Sequence, residues 1–273
     1  MTGPSDRWRD LDRPPLRERA LRSALVVEDG LWSELTVVDE TGSTNADVAS
    51  AAARGAAEGL VVVAEHQAAG RGRLERTWTA PPRSALTFSV LLRPPVATRA
   101  HWGWLPLLAG LSVAGPLTRL SGLDVGLKWP NDVLVAEHKV AGVLAEVVGG
   151  AVVVGVGLNV SMHQDELPVA TATSLHLSGS EVVDREPVLR AVLRDLAVRY
   201  TGWCDALGDV ESTGLLRDYR AACVTLGREV TVHLPDGTTA RGRAVDVDRQ
   251  GRLVVESGTG RDALAAGDVL HVR

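Results

Sequence analysis

Phenylalanine is nearly missing from this chain: one Phe and two Tyr stand beside seven Trp in 273 residues. Such a core has to be built from Leu, Val and Ala, which leaves Trp for places where a large ring with one polar handle has a task. Cysteine is equally scarce. Cys204 and Cys223 are too few for a disulfide framework or a four-thiolate metal site. Both fall in helical-looking stretches, so buried free thiols are expected. No apolar run approaches the ~20 residues that span a bilayer, and residues 1–23 are dense in charge without the apolar segment of a secretory signal. Positive charge is short as well: 29 Lys and Arg against 34 Asp and Glu give a net −5, no basis for binding DNA, RNA or an anionic membrane. The expectation is a soluble, cytoplasmic protein.

The familiar signatures of covalent and metal catalysis are also lacking. There is no His-Glu-x-x-His, no Cys-x-x-Cys and no Gly-x-Ser-x-Gly elbow, and the seven His are scattered without ligand spacing. What remains is electrostatic chemistry, in which fixed cations and backbone donors face an anion.

The hydrophobic pattern predicts short helices over 16–25 and 46–54, an apolar helix over 101–120 that Pro116 should end or kink, and helices over 186–206 and 215–223. Strands are predicted over 35–39, 60–65, 86–92, 126–129 and 133–135. Two Val-rich runs, 143–148 and 151–156, are joined by Gly149-Gly150 as a two-residue hairpin. From residue 226 about five short strands alternate with turns, which suggests a small β-barrel. The fold class is thus α/β, with a mixed, largely antiparallel sheet and flanking helices over 1–225, followed by a small β domain over 226–273.

Four segments could carry chemistry. In the loop over 68–76, Gly70, Arg71, Gly72 and Arg73 with Arg76 form a local cationic clamp inside an acidic protein; a solvated basic turn is the plain alternative. Glu75 stands where a dinucleotide fingerprint needs its third glycine, and no Gly-Lys-Ser/Thr follows, so the loop is not a P-loop. Ser43, Thr44 and Asn45 read either as a helix cap, with Asp47 three residues after Thr44, or as hydroxyls and an amide for a polar ligand. Lys128-Trp129-Pro130-Asn131-Asp132 with Lys139 and Gly142 is unusual for a plain connector. Gly155 and Gly157, ahead of Asn159, mark a bulge or a close backbone approach.

In their order, these segments resemble the biotin–protein ligase family: Ser43-Thr44-Asn45, Glu65-His66-Gln67 with Gly70-Arg71-Gly72-Arg73 and Trp78, Lys128 to Asp132, Lys139 to Glu146, and Gly155 to Asn159. The resemblance covers roughly residues 40–175. It implies a class II synthetase-like catalytic domain and a C-terminal SH3-like barrel. The activity it implies is ATP-dependent activation of biotin as biotinyl-5′-AMP with Mg²⁺, then transfer to a lysine of a biotin carboxyl carrier domain of acetyl-CoA, acyl-CoA or pyruvate carboxylase. By that resemblance Ser43, Thr44 and Gln67 match positions at the biotin head, with Asn45 in the same motif. Gly70 to Arg73 match the loop that closes on biotin and its adenylate. Lys139 matches the lysine against the reacting carboxylate and α-phosphate, and Arg71 and Arg73 join it as catalytic candidates. Gly142 and Gly155 match backbone approaches to biotin, Gly157 lies in the same strand motif, and Trp78 matches a ring on adenine. Lys128, Asn131 and Asn159 match the nucleotide side.

Glu75 stands where many members carry a further glycine, which implies a stiffer, less electropositive loop. Only about forty residues precede Ser43, too few for the winged helix-turn-helix of repressor members, so no operator binding is expected. The metal ligands and the oligomeric state stay open at this level. Lipoate–protein ligase, and a non-catalytic nucleotide- or RNA-binding module, are the alternatives.

Overall fold

The structure is a computed structural model that describes residues 13–74, 76–258 and 260–272; Glu75 and the charged residues 1–12 lie outside it. The chain runs through α1 (Glu18–Leu25), β1 (Glu34–Val38), α2 (Thr44–Ala53), β2 (Leu60–Ala64), β3 (Gly70–Arg71), β4 (Thr77–Trp78) and β5 (Ala85–Leu92). There follow α3 (Leu105–Ser121), β6 (Val125–Lys128), β7 (Asp132–Val135), β8 (His138–Val148), β9 (Ala151–Asn159), α4 (Arg185–Asp205) and α5 (Leu215–Ala222). The last strands are β10 (Glu229–His233), β11 (Thr239–Val247), β12 (Leu253–Ser257), β13 (Gly260–Leu264) and β14 (Asp268–His271).

Seven strands form one sheet in the order β1-β2-β5-β9-β8-β7-β6. β1 and β2 pair in parallel and every other neighbouring pair is antiparallel, as the hairpin signals predict. Gly149 and Gly150 both take positive φ (54° and 82°), as a tight hairpin turn whose twist suits its strands requires. Because side chains alternate along a strand, the central strands serve two faces. Val90, Val152 and Val154 join the main core with α3 and α4, whereas Leu91, Val153 and Ala151 pack against Val48 of α2.

Three expectations need correction. Pro116 does not end the helix: α3 continues to Ser121 and ends where Gly122 adopts the left-handed conformation. The lost backbone donor costs one bond, while most of the helix up to Leu117 is buried, and packing outweighs local propensity. The same helix begins later than predicted. Residues Val96–Trp104 form a 3₁₀ helix, and Pro106 sits in the first turn of α3, where a missing N–H is tolerated. Within the stretch read as a loop, Gly70 and Arg71 are instead strand, since β3 and β4 pair Gly70 with Trp78 and Arg71 with Thr77.

The five C-terminal strands form a second, wholly antiparallel sheet in the order β13-β12-β11-β10-β14. Two tryptophans fasten it to the larger unit. Trp104 Nε1 donates to the Arg249 carbonyl (2.8 Å) and Trp129 Nε1 to the Gly251 carbonyl (2.9 Å), so both rings grip one turn between β11 and β12. Of the two thiols, Cys223 is buried as expected but Cys204 is only half-buried; burial pushes Cys204 up to about 11. Among the described residues no helix is long and apolar enough to cross a membrane.

Glu65, at the end of β2, ties the N-terminal segment and α4 together. It accepts from Leu16 N (2.6 Å) and pairs with Arg185, whose other guanidinium nitrogen donates to the Pro14 carbonyl (2.7 Å). Both side chains are 4% exposed, so the pair is held without water. Arg185→Ala should leave a buried carboxylate uncompensated and cost about 3–5 kcal/mol in urea unfolding, whereas a paired Glu65→Gln/Arg185→Met replacement should recover most of it.

Candidate active site

One cavity of about 980 Å³ opens between α2, the β8–β9 hairpin, the arginine segment and β14. Its apolar wall comes from Phe88, Leu134, Val143, Leu144 and Val156, and its polar groups converge from four separate stretches of sequence. Of the residues given a ligand-side or catalytic role from sequence, all but Gly70 stand on this wall. Gly70 works behind it: a Cβ there would collide with the Trp78 carbonyl, so glycine is what lets β3 and β4 meet.

The sheet makes room by omission. Gly142 and Gly157 are register partners on β8 and β9, and Gly155 follows the same alternation. A Cβ at Gly155 would strike Asn45 Oδ1, and one at Gly157 would enter the Trp78 ring. At Gly142 it would lie 3.0 Å from Lys139 Nζ. Bare backbone therefore lets an amide, an indole and an ammonium rest against one face of the sheet.

Two polar networks cross the cavity, each beginning at an arginine. From Arg71 the first runs to Glu146 (3.0 Å), which also accepts from Asn45 Nδ2 (2.7 Å). Asn45 Oδ1 accepts from Ser89 (2.6 Å), whose hydroxyl lies 2.7 Å from that of Thr44. Gln67 then accepts from both Thr44 N (2.8 Å) and Thr44 Oγ1 (3.0 Å). Thr44 is thus the first helical residue and not a cap: Gln67 supplies the acceptor, and Asp47 instead accepts from Thr41 (2.6 Å). The second network links Arg73 to Asn131 Oδ1 (2.8 Å), Asn131 Nδ2 to Asp132 (3.1 Å) and Asp132 to Lys139 Nζ (2.6 Å). The cations are held ready but not bare. A carboxylate or carbonyl partner faces each, and an incoming anion would replace it.

Lys139 is fixed from its backbone too, through Lys139 N to the Thr171 carbonyl (2.9 Å) and Thr173 N to the Lys139 carbonyl (2.8 Å). Asn159 Nδ2 donates to the Thr173 carbonyl (2.8 Å), so its amide buttresses that segment as well as lining the cavity. Trp129 departs from expectation. It lies in the Lys-Trp-Pro-Asn-Asp motif, but its ring is 1% exposed and points into the core toward the second sheet.

Several residues on the wall or bonded to it escape a reading of the sequence. Glu146 closes a motif without an evident role, although strand alternation from Gly142 through Leu144 places it on the same face. Ser89, in an otherwise apolar run, is a similar signal. Arg228, Asp268 and His271 come from the second sheet and carry no local signal at all. Arg228 pairs with Glu137 (2.8 Å) and approaches His271 Nδ1 (3.3 Å).

Burial, then Lys128 and Arg228, push His271 down to about 4 from an ordinary 6.5, against the opposing charge of Glu137. The imidazole is therefore neutral when folded, while the unfolded chain takes up a proton below about 6.5. Its stabilising effect is complete above about 6.5 and is lost as pH falls toward about 4. Urea midpoints should drop between pH 7 and pH 5 by more in the parent protein than in His271→Asn.

Comparison with known proteins agrees with this geometry. Residues 39–162 match the Biotin/lipoate A/B protein ligase family, and residues 225–272 match the Biotin protein ligase C terminal domain. A biotin–[acetyl-CoA-carboxylase] ligase of Mycobacterium tuberculosis is 45% identical over 269 residues, spanning 97% of this chain and 99% of that protein. Another of the same description from Paracoccus denitrificans is 31% identical over 245 residues, 84% of this chain and 97% of its own length. The biotin protein ligase of Aquifex aeolicus, solved in complex with biotin and ATP, superposes with a TM-score of 0.76 at 28% identity, covering 89% of this chain and all of that one. Sequence and overall fold agree, and the chain belongs to the biotin protein ligase family.

Proposed function

We propose that this cavity activates biotin with ATP and passes it to a lysine of a carboxyl carrier domain. The observation that carries this reading is the convergence of Lys139 and two arginine-led networks on a glycine-bared, Val-lined cleft. In the first step a biotin carboxylate oxygen attacks the α-phosphate of ATP and diphosphate leaves, giving biotinyl-5′-AMP. Both reactants are anions, so the barrier is mainly electrostatic, and preorganised cations lower it. In the second step the amine of the acceptor lysine attacks the mixed anhydride carbonyl, loses its proton, and AMP departs.

Within this reading Ser43, Thr44, Asn45 and Gln67 receive the polar head of biotin, and the Val143, Leu144 and Val156 wall takes its apolar part. Gly142, Gly155 and Gly157 allow the close approach. Trp78 packs on adenine, and Lys128, Asn131 and Asn159 serve the nucleotide side. Arg71 and Arg73 hold the adenylate, and Lys139 stands at the reacting carboxylate and α-phosphate once the ligand displaces Asp132. Excluding water matters because the anhydride hydrolyses.

Magnesium, when bound, shields phosphate charge. Among the described residues no three His, Cys, Asp or Glu side chains gather in a metal-sized site. As acceptor we propose the carrier domain of acetyl-CoA carboxylase, with those of acyl-CoA and pyruvate carboxylases as candidates of the same chemistry. The reaction would take place in the cytoplasm.

Biotin-dependent ATP–diphosphate exchange tests this function; exchange driven by lipoate and not by biotin would reverse it. Lys139→Ala should fold normally and lose about 10²–10³ of single-turnover adenylation. A near-normal rate in that variant would remove Lys139 from the reacting centre.

A further inference from the structure

The C-terminal sheet reaches across the cavity to the arginine segment, and this contact lies outside the motifs that identify the family. Arg76 NH1 donates to Asp268 Oδ1 (3.3 Å), and Arg76 NH2 makes a shorter bond to Asp268 Oδ2. Beside it Arg73 NH1 donates to the Gly267 carbonyl (3.3 Å) as well as to Asn131. Asp268 opens β14, where β10 holds it in register opposite His233. A position at the edge of one sheet thus grips the segment that carries Arg71 and Arg73 over the other.

We infer that Asp268 is a positioning residue: by pairing with Arg76 it holds Arg73 and Arg71 over the cavity, and so governs how long the adenylate is retained before transfer. This rests on the biotin-ligase reading above. The Arg76 side chain is 62% exposed and that of Asp268 29%. A pair so open to water adds little to fold stability, so its effect is local, on the segment it tethers. Burial alone would push the Asp268 carboxyl up. The hydrogen bond from Arg76 and the charges of Arg76, Lys128 and Arg73 outweigh it and hold the group below the usual carboxylate range. The carboxylate accordingly stays ionised at neutral pH, facing three cations that converge on one place. Arg73 has one partner in the turn between β6 and β7 and another just ahead of β14, so releasing Asp268 loosens the side of the segment that Asn131 does not hold.

Three proteins test this: the parent, Asp268→Asn, and the charge swap Arg76→Asp/Asp268→Arg. Thermal melts should coincide. Without ligand, trypsin should cut after Arg71 and Arg73 about threefold faster or more in Asp268→Asn than in the parent. Without acceptor protein, that variant should release more free biotinyl adenylate per adenylation event, while its exchange rate changes less than its leak. The swap should return both readouts toward the parent. Parent-like cleavage and leak in Asp268→Asn, or a swap no better than the single variant, would overturn the assignment. Failure of the parent to show biotin-dependent exchange would count against the biotin reading alone, and the cleavage rates would still decide the tether.

Discussion

Three missing side chains hold the rest of the site in place. Gly142, Gly155 and Gly157 lie on the two longest neighbouring strands of the larger sheet, and their bare backbone leaves the space that Lys139, Asn45 and Trp78 occupy. Strands surrounded by core are otherwise packed to the density of a molecular crystal, and any ordinary residue would fill that space. The cleft is therefore made by what the hairpin omits, and its rigidity comes from the Val-rich residues that alternate with the glycines. Because the hairpin is central, with β5 on one side and β7 on the other, the cleft floor is set by the most deeply paired part of the fold.

Electrostatics follows from that geometry. An acidic protein that must bring a carboxylate and a phosphate together needs local cations, and those cations need company until the ligand arrives. Glu146 and Asp132 supply it for Arg71 and Lys139. Each carboxylate also binds an amide, Asn45 or Asn131, so the polar groups of the two ligand ends are already oriented. Charged groups at low dielectric are costly to leave unpaired, and these networks avoid that cost in the free enzyme. They also couple the arginine segment to both ends of the cleft, one arginine to each.

Much of this is legible in the sequence. The Gly149-Gly150 turn and the alternating strands from residue 226 announce the hairpin and the second sheet, because turn chemistry and period-two patterning are local, although β8 begins five residues before its Val-rich run and β9 ends three residues after its own. The wall residues are legible only through the order of their motifs, which resembles that of the family, since each segment alone also admits a plain structural reading. What is not legible depends on docking. Nothing near Arg228, Asp268 or His271 signals that their sheet leans on the cavity, and Trp129 has the look of a ligand-side ring although its indole N–H holds the Gly251 carbonyl. The Thr44 cap signature misleads because a partner beyond the far end of β2, Gln67, does the capping through tertiary contact. Pro116 misleads in the other direction, since burial of the helix from Leu105 to Leu117 outweighs one lost donor.

The most direct test of biotin transfer is intact-mass analysis of a purified carrier domain of acetyl-CoA carboxylase incubated with this protein, biotin and ATP. The carrier should gain the mass of one biotinyl group, mapped to a single lysine and abolished when ATP is omitted. An unmodified carrier, or modification that proceeds with lipoate and not with biotin, would contradict the proposed chemistry.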